Sequence, residues 1–198
     1  MPAQQRFTIR YTILPSSLGA VLVARSVATG GLSAVLLDDD RAVLVAELRR
    51  RFPGMPVEAA DDDSTLRELA RKVVALVESP ADPECAVDAP LDARGTAFQQ
   101  LVWSALRGIP AGTTVTYAEL ARRVGRPSAV RAVASACAAN PLAIVVPCHR
   151  VVRSDGGLSG YRWGVERKRA LLAREATTSG DARASQFDVT AASPRDAA

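Results

Sequence analysis

The sequence predicts an α+β fold. A small N-terminal αβ domain, an antiparallel sheet with helices, precedes a mostly helical C-terminal domain with a helix-turn-helix. The three predicted strands lie within the first 40 residues, the linker 80–92 can include a further short strand, and helical periodicity with capping signals dominates after residue 93. In addition, two short helical patterns meet at Gly125-Arg126-Pro127. A chain of 198 residues suits one large domain or two small ones.

The N-terminal elements follow from apolar runs and the turn residues between them. Three strands are predicted, at residues 6–14, 19–25 and 31–37. Pro15–Leu18 form the first turn. Asp38–Asp40 supply an N-cap and negative charge to a helix that runs to about Phe52. Ser64 opens a second helix, which stops near Ser79-Pro80.

Two capping boxes mark helix starts in the second half. Thr96 with Gln99 precedes an amphipathic helix. Thr116 with Glu119 repeats the pattern for a short helix that runs to Val124. Both helices are therefore predicted from local chemistry alone.

The next helix completes the predicted helix-turn-helix. Gly125 fits the stop of the short helix, and Pro127 fits the first turn of a helix over 128–139 that Asn140-Pro141 closes. This second helix consists almost entirely of Ala, Val and Ser, with Arg131 as its one long polar side chain. Two interpretations stay open, a buried Ala-rich core helix and a helix whose small side chains allow close approach to nucleic acid.

These elements divide the chain into three parts. Residues 1–92 form the N-terminal domain with a proline-containing linker, and residues 93–176 form the C-terminal domain, whose last helix covers Val165–Ala176. Residues 177–198 are polar and aperiodic, so we expect a disordered tail.

Charge is distributed unevenly along the chain. The net charge is +4, but residues 1–92 carry 10 basic and 14 acidic side chains, while residues 116–176 carry 11 basic and 4 acidic ones. Clustered arginines of this kind favour a polyanionic partner. The sequence shows neither a membrane-length apolar stretch nor a signal peptide, and its three cysteines are odd in number, which favours a reducing cytoplasm.

Cys148 is followed directly by His149, the only histidine of the chain, and then by Arg150. A sulfur nucleophile needs its thiolate form, which a neighbouring imidazole and a cation favour. On this basis we expect the pKa of Cys148 to lie below that of a free cysteine. The plain alternative is a core cysteine beside a hydrogen-bonded histidine, because adjacent residues in a strand point to opposite faces.

The order helix, turn, helix, Pro-Cys-His-Arg, Gly-rich loop, helix resembles the O6-alkylguanine-DNA alkyltransferases. Residues 132–140 and 159–164 look most like the alkyltransferase part of bacterial Ada-type adaptive-response proteins. The resemblance runs from about Phe7 to Ala176 and is densest from Gly95 onward. It implies that the N-terminal domain is ribonuclease-H-like.

For the reaction, the resemblance implies a triad. Cys148 is the nucleophile, His149 acts through a water as its base, and Glu175 orients the imidazole. It also implies that Asn140 ties the helix end to the active-site segment. Without the resemblance, Glu175 reads as a solvated residue at a helix end and Asn140 as a plain C-terminal cap.

For the substrate, the resemblance implies base flipping, because O6 of guanine lies within the duplex. The residue matching Arg131 fills the gap left by the flipped base, and the one matching Tyr117 helps to rotate the 3′ phosphate and hydrogen-bonds the base. The carbonyls of Cys148 and Val151 read the exocyclic amine, and a backbone N–H near Tyr161 and Arg162 stabilises the leaving base. The plain alternatives are a core aromatic for Tyr117 and a surface turn for the loop.

The resemblance implies direct-reversal DNA repair. One alkyl group moves from O6-methylguanine, and by extension from O4-methylthymine, in double-stranded DNA to Cys148. The thioether product has no route back to a thiol, so each molecule acts once. We expect a monomeric cytoplasmic methyltransferase without cofactor, metal or membrane contact. A non-catalytic helix-turn-helix DNA binder and a cysteine hydrolase are the rival hypotheses.

Overall fold

The computed structural model of the chain describes residues 7–80, 82, 87–158 and 160–178. Within these ranges it has a four-stranded sheet, a two-stranded sheet and six α-helices, which confirms the predicted α+β class. Cys85 and the part of the predicted tail beyond residue 178 lie outside the described residues. No helix in the described ranges has the length and apolarity needed to cross a membrane.

The four-stranded sheet is built mainly from the three predicted strands. They are β1 (Ile9–Ser16), β2 (Gly19–Ser26) and β3 (Leu32–Asp38), in the sheet order β3-β2-β1-β4. The predicted turn Pro15–Leu18 is shorter than expected, because Pro15 pairs with Ala20 and Ser16 pairs with Gly19. Proline is tolerated there because β4 does not extend along that end of β1.

The fourth strand was not predicted from the sequence. β4 (Val57–Ala59) pairs in parallel with Ile9–Tyr11 of β1, so the sheet is mixed although its three long strands are antiparallel, as predicted. Three residues are too few to show a period of two, and only the partner strand defines them as a strand.

Two capped helices pack on this sheet. The first, α1 (Arg41–Arg51), packs on β3 and β2, and its N-cap Asp40 accepts a bond of 2.7 Å from Ala42 N, as predicted. The second, α2 (Ser64–Glu78), packs on β1 and β2. Its N-cap is Asp63, one residue before the predicted position, because Asp63 Oδ1 accepts from Leu66 N at 3.0 Å.

The C-terminal part contains the other four helices and the two-stranded sheet. The helices are α3 (Ala97–Arg107), α4 (Tyr117–Arg123), α5 (Val130–Ala139) and α6 (Val165–Thr178). The strands β5 (Val115–Thr116) and β6 (Val151–Val152) pair in parallel. Both predicted capping boxes are formed, and α6 takes in the first two residues of the predicted tail.

The predicted start of α5 at residue 128 is wrong by two residues. Gly125, with φ of 70°, ends α4 in a Schellman motif, since Arg126 N bonds Ala121 O and Gly125 N bonds Arg122 O. A further turn then closes from Ala129 N to Arg126 O and holds Pro127 at its second position, which proline favours. Pro127 therefore shapes the turn of the helix-turn-helix and lies outside the helix.

The outer edge of β3 joins the two parts of the chain. Val35 N donates to Pro141 O at 2.8 Å, and Ala143 N donates to Val35 O at 3.0 Å. Every residue from Leu32 to Leu37 is buried, as expected for a strand covered on both faces and along its edge. The segment that leaves α5 is thus fixed against the sheet, and this segment leads directly into Cys148.

Candidate active site

The loop after α5 is held together by the buried side chain of Asn140. Its Oδ1 accepts from Leu142 N at 2.9 Å, and its Nδ2 donates to Val146 O at 2.8 Å. Within the loop, Ile144 adopts a φ of 70°, which costs a branched residue about 1–3 kcal/mol. The loop therefore takes a shape that the edge of β3 and Asn140 impose together. Asn140 is more than a plain C-terminal cap.

Cys148–Arg150 form a single 3-10 turn, in which the side chains of Cys148 and His149 lie in the interior. Cys148 N bonds Val146 O at 2.8 Å, and Arg150 N bonds Pro147 O at 3.0 Å. Cys148 and His149 are both buried, at 6% and 0% exposure. Strand alternation does not apply in such a turn, so the main objection to an adjacent Cys-His pair is removed.

His149, Arg150 and Glu175 form a buried ion cluster. His149 Nε2 lies 2.8 Å from Glu175 Oε1, and Arg150 Nη2 donates to the same oxygen at 2.9 Å. Gly112 N donates to Glu175 Oε2 at 3.1 Å. Glu175 is fully buried, so the alternative of a solvated helix end is wrong.

The charge states within the cluster follow from burial and pairing. Burial raises the pKa of Glu175, but the hydrogen bonds and charges of His149 and Arg150 outweigh it and hold that pKa below its usual range. For His149, burial lowers the pKa more than Glu175 raises it, and Arg150 lowers it further. The resting cluster is thus a carboxylate beside a neutral imidazole.

The side-chain amide of Asn140 also contacts the Cys148 thiol. Asn140 Nδ2 donates to Cys148 Sγ at 3.2 Å. Burial raises the pKa of Cys148 and outweighs both this bond and the charge of Lys168, so the expected lowered pKa is wrong. The thiol rests in its neutral form, and a base is required to deprotonate it during a reaction.

Lys168 is a buried lysine that the sequence analysis missed. It is fully buried, its Nζ donates to Val151 O at 2.5 Å, and burial lowers its pKa. Helical spacing in the sequence could have indicated its burial. Lys168 lies seven residues before Glu175 and shares a helix face with it and with buried Leu171. Val151 O, which the resemblance assigns to reading the base, is thus the acceptor of a buried lysine.

Two tyrosines flank the thiol. Tyr117, at the start of α4, is partly buried, and burial together with the nearby thiols Cys137 and Cys148 raises its pKa to about 12. Its hydroxyl lies so close to Gly160 that a Cβ there would approach Oη to 3.2 Å. Tyr161 sets its ring edge-on to His149 at 6.5 Å between centroids, and its buried hydroxyl has no hydrogen-bond partner among the described protein atoms.

Arg131 and Arg162 point away from this cluster. Arg131 is exposed on α5, beside exposed Ala132 and Ser135, while Val133 and Ala136 on the other face are buried. One face of α5 is therefore part of the core, and the other face is exposed; the approach of nucleic acid to the exposed face stays a prediction. Arg162 bonds Glu47 of α1 at 2.6 Å.

The structure thus brings together most of the predicted site residues. The buried group consists of Asn140, Cys148, His149, Val151, Tyr161 and Glu175, with Tyr117 at its margin. Among the described residues no cluster of His, Cys, Asp and Glu has the composition of a metal site. The arrangement can hold a thiol next to a base–carboxylate pair within a water-poor interior.

Comparison with known proteins identifies relatives of this arrangement. Residues 97–177 match the family described as 6-O-methylguanine DNA methyltransferase, DNA binding domain. The chain is 52% identical over 172 residues to the bifunctional transcriptional activator/DNA repair enzyme Ada of Escherichia coli, which covers 87% of this chain and 47% of Ada. It is 41% identical over 133 residues to the inducible methylated-DNA–protein-cysteine methyltransferase of Bacillus subtilis, covering 67% of this chain and 72% of that protein.

A solved structure extends the match over both parts of the chain. Mycobacterium tuberculosis OGT in complex with DNA superposes with a TM-score of 0.66 at 32% identity, covering 86% of this chain and 93% of that one. The chain spans about half the length of Ada and of the mycobacterial methyltransferases that it matches, at 47% and 53%. On the matched family domain, the relatives and the shared fold, the chain belongs to the 6-O-methylguanine DNA methyltransferase family.

Proposed function

We propose that this chain repairs alkylated DNA by moving one alkyl group from O6-methylguanine, or from O4-methylthymine, to Cys148. The observation that carries the proposal is the position of Cys148 Sγ, buried and 3.2 Å from Asn140 Nδ2 beside the His149–Glu175 pair. The named relatives are methylated-DNA–protein-cysteine methyltransferases, and a related structure holds DNA.

In the proposed reaction the sulfur attacks the methyl carbon. The S–C bond forms, the C–O6 bond breaks, and the guanine leaves with the bonding electrons. The thiol proton passes through a water to His149, which later releases it to solvent. The departing guanine anion takes a proton from solvent on its ring nitrogen. Glu175 holds the imidazole and stabilises its charged form, while the Asn140 amide and the Lys168 ammonium stabilise the thiolate as it forms.

The proposed role of Tyr117 is to donate a hydrogen bond to the leaving base. Its pKa of about 12 keeps the hydroxyl protonated at neutral pH, so it remains a donor. Gly160 supports this role, because its lack of a side chain lets the loop approach that hydroxyl. Backbone groups near Tyr161 complete the proposed pocket, and Val151 O, a carbonyl able to accept two hydrogen bonds, is the proposed acceptor for the exocyclic amine.

DNA is the proposed partner of the free face of α5. Arg122, Arg123, Arg126 and Arg131 are all exposed on or near the helix-turn-helix, and short side chains line the rest of that face. A surface of this kind attracts phosphates and allows close approach to a groove. The domain limits 1–92 and 93–176, the monomeric state and the cytoplasmic location stay predictions.

Mass spectrometry of the intact protein tests the proposed function. After incubation with duplex DNA containing O6-methylguanine, we expect a gain of one methyl group, located on Cys148 by peptide mapping. Unmodified duplex of the same sequence is the control. No gain of mass would favour the non-catalytic DNA binder, and release of product beyond one equivalent would favour a turnover enzyme such as a hydrolase.

Replacing Arg131 with alanine tests the proposed flipping step. Flipping costs a few kcal/mol in a duplex and nothing for a free base. We therefore expect Arg131→Ala to slow transfer from duplex DNA by about 10-fold or more, yet to leave the slow reaction with free O6-methylguanine unchanged. Single-turnover rates on both substrates measure the effect. Equal slowing on both would assign Arg131 to the fold instead.

A further inference from the structure

Glu47, on α1 of the N-terminal part, accepts hydrogen bonds from three arginines and lies outside the proposed reaction site. Arg162 Nη2 lies 2.6 Å, Arg51 Nε 2.7 Å and Arg50 Nε 2.8 Å from its carboxylate oxygens. The Glu47 side chain is only 14% exposed. Arg51 and Arg162 are 12% and 35% exposed, so solvent screens these two ion pairs less than the pair with Arg50, which is 63% exposed.

The first link runs from Glu47 to the loop that contains Tyr161. Arg162 donates to Glu47 across 115 residues of sequence and stacks its guanidinium 5.6 Å from the ring of Trp163. Its chain neighbour Tyr161 packs edge-on against His149. Glu47 therefore holds the loop at the residue next to an active-site contact.

The second link runs from Glu47 to the end of α5. Arg51 donates from Nε to Glu47 and from Nη1 to Ala139 O at 3.3 Å. Its guanidinium also lies 5.9 Å from the centre of the Trp163 ring. Ala139 precedes Asn140, which donates to Cys148 Sγ. The same carboxylate therefore also supports the helix end that orients the thiol.

We propose that Glu47 is a positioning residue that latches the loop Gly160–Gly164 over the active site and ties it to the end of α5. The proposal rests on the proposed alkyl transfer and adds a role for the N-terminal part. It also assigns the side chain of Arg162 to the latch, whereas the resemblance places Arg162 at the substrate. Release of the latch lowers the fraction of molecules in which the loop is closed, so the pocket is less often complete.

A double-mutant cycle between Glu47→Gln and Arg162→Gln tests the latch. We expect each single change to lower the transfer rate constant by about tenfold, and the double variant to be no slower than Glu47→Gln alone, because Glu47→Gln already removes the link that Arg162→Gln breaks. The loss should appear on duplex DNA and on free O6-methylguanine alike, since both need the closed pocket. Independent effects, with a loss of about 100-fold in the double variant, would overturn the proposal.

Amide hydrogen exchange provides a readout that general destabilisation does not reproduce. In Glu47→Gln we expect faster exchange in peptides covering 160–164, with unchanged exchange in α2. Faster exchange throughout, or none in the loop, would overturn the latch. Glu68→Gln is the matched control, because Glu68 forms an exposed ion pair with Lys72 at 3.7 Å on α2, and it should leave rate and exchange unchanged. Failure of the wild type to accept a methyl group would refute the proposed function, whereas a normal wild type with unaffected Glu47→Gln would refute only the latch.

Discussion

Replacing Cys148 with alanine is expected to abolish methyl transfer and to leave binding to duplex DNA intact. The sulfur is the atom that forms the new bond, so no residual route remains. DNA binding should persist because Cys148 is 6% exposed, while the basic residues of the helix-turn-helix lie on the surface. Transfer of labelled methyl to protein measures the first effect, and a binding titration at fixed salt concentration measures the second.

Cys137→Ala is the matched control for this prediction. Cys137 is also a buried free thiol, and burial raises its pKa far above the usual range, so it remains an inert neutral side chain. We expect the Cys137 variant to accept one methyl group as the wild type does. Methyl transfer by Cys148→Ala, or its loss in Cys137→Ala alone, would show that the wrong sulfur has been assigned.

The second large effect is expected for Glu175→Gln. The carboxylate accepts bonds from His149, Arg150 and Gly112, and Arg150 is only 12% exposed. A neutral amide leaves the arginine charge without its partner, which costs about 3–5 kcal/mol of stability. It also removes the group that stabilises a charged imidazole, so the transfer rate at neutral pH should fall by about 100-fold or more.

The pH dependence of stability separates the contribution of the Glu175 charge from the contribution of its side-chain packing. Its pKa is depressed in the folded state, so its stabilisation is present above the unfolded value of about 4.5 and is lost as the pH falls through the folded pKa. The stability difference between wild type and Glu175→Gln should therefore be constant near neutral pH and shrink in acid. Urea unfolding over this pH range measures it, and a difference that does not change with pH would contradict the assignment.

His149 adds a separate effect that both proteins share. Its pKa is lowered by burial, so the unfolded chain takes up a proton near pH 6.5 that the folded chain excludes. The free energy of unfolding should accordingly decrease as the pH falls below about 6.5, in wild type and in Glu175→Gln. Because Glu175 raises the pKa of His149, this decrease should continue to a lower pH in Glu175→Gln than in the wild type.

Local chemistry predicted the elements whose cause lies within a few residues. Thr96 with Gln99 and Thr116 with Glu119 form capping boxes because both partners sit on one helical turn. The three long strands were likewise visible as apolar runs. β4 was missed because its only cause is pairing with β1, and the start of α5 was misplaced because the Schellman motif at Gly125 continued into a second turn.

Among the residues of the candidate site, some were also indicated by the sequence and others were not. Pro-Cys-His-Arg and its resemblance to a repair family indicated Cys148, His149 and Glu175 as candidate site residues, and the structure places all three together in the interior. The candidate residues could be proposed from the sequence, since they depend on residue types and their order. Lys168 was also detectable from helical spacing, but an exposed lysine is so much more common that the spacing alone did not suggest it.

What the sequence by itself determined is which groups are present and which short helices and strands carry them. Only the tertiary structure decided the environment of those groups. The pKa of Cys148 was predicted in the wrong direction because neighbouring residues suggest charge stabilisation, whereas desolvation depends on every element that packs around the sulfur. The link from Glu47 to Arg162 spans 115 residues, and no local pattern encodes it. Contacts of that kind arise when the sheet edge and α1 dock on the C-terminal part, because burial and long-range pairing are properties of the packed chain and not of any segment of it.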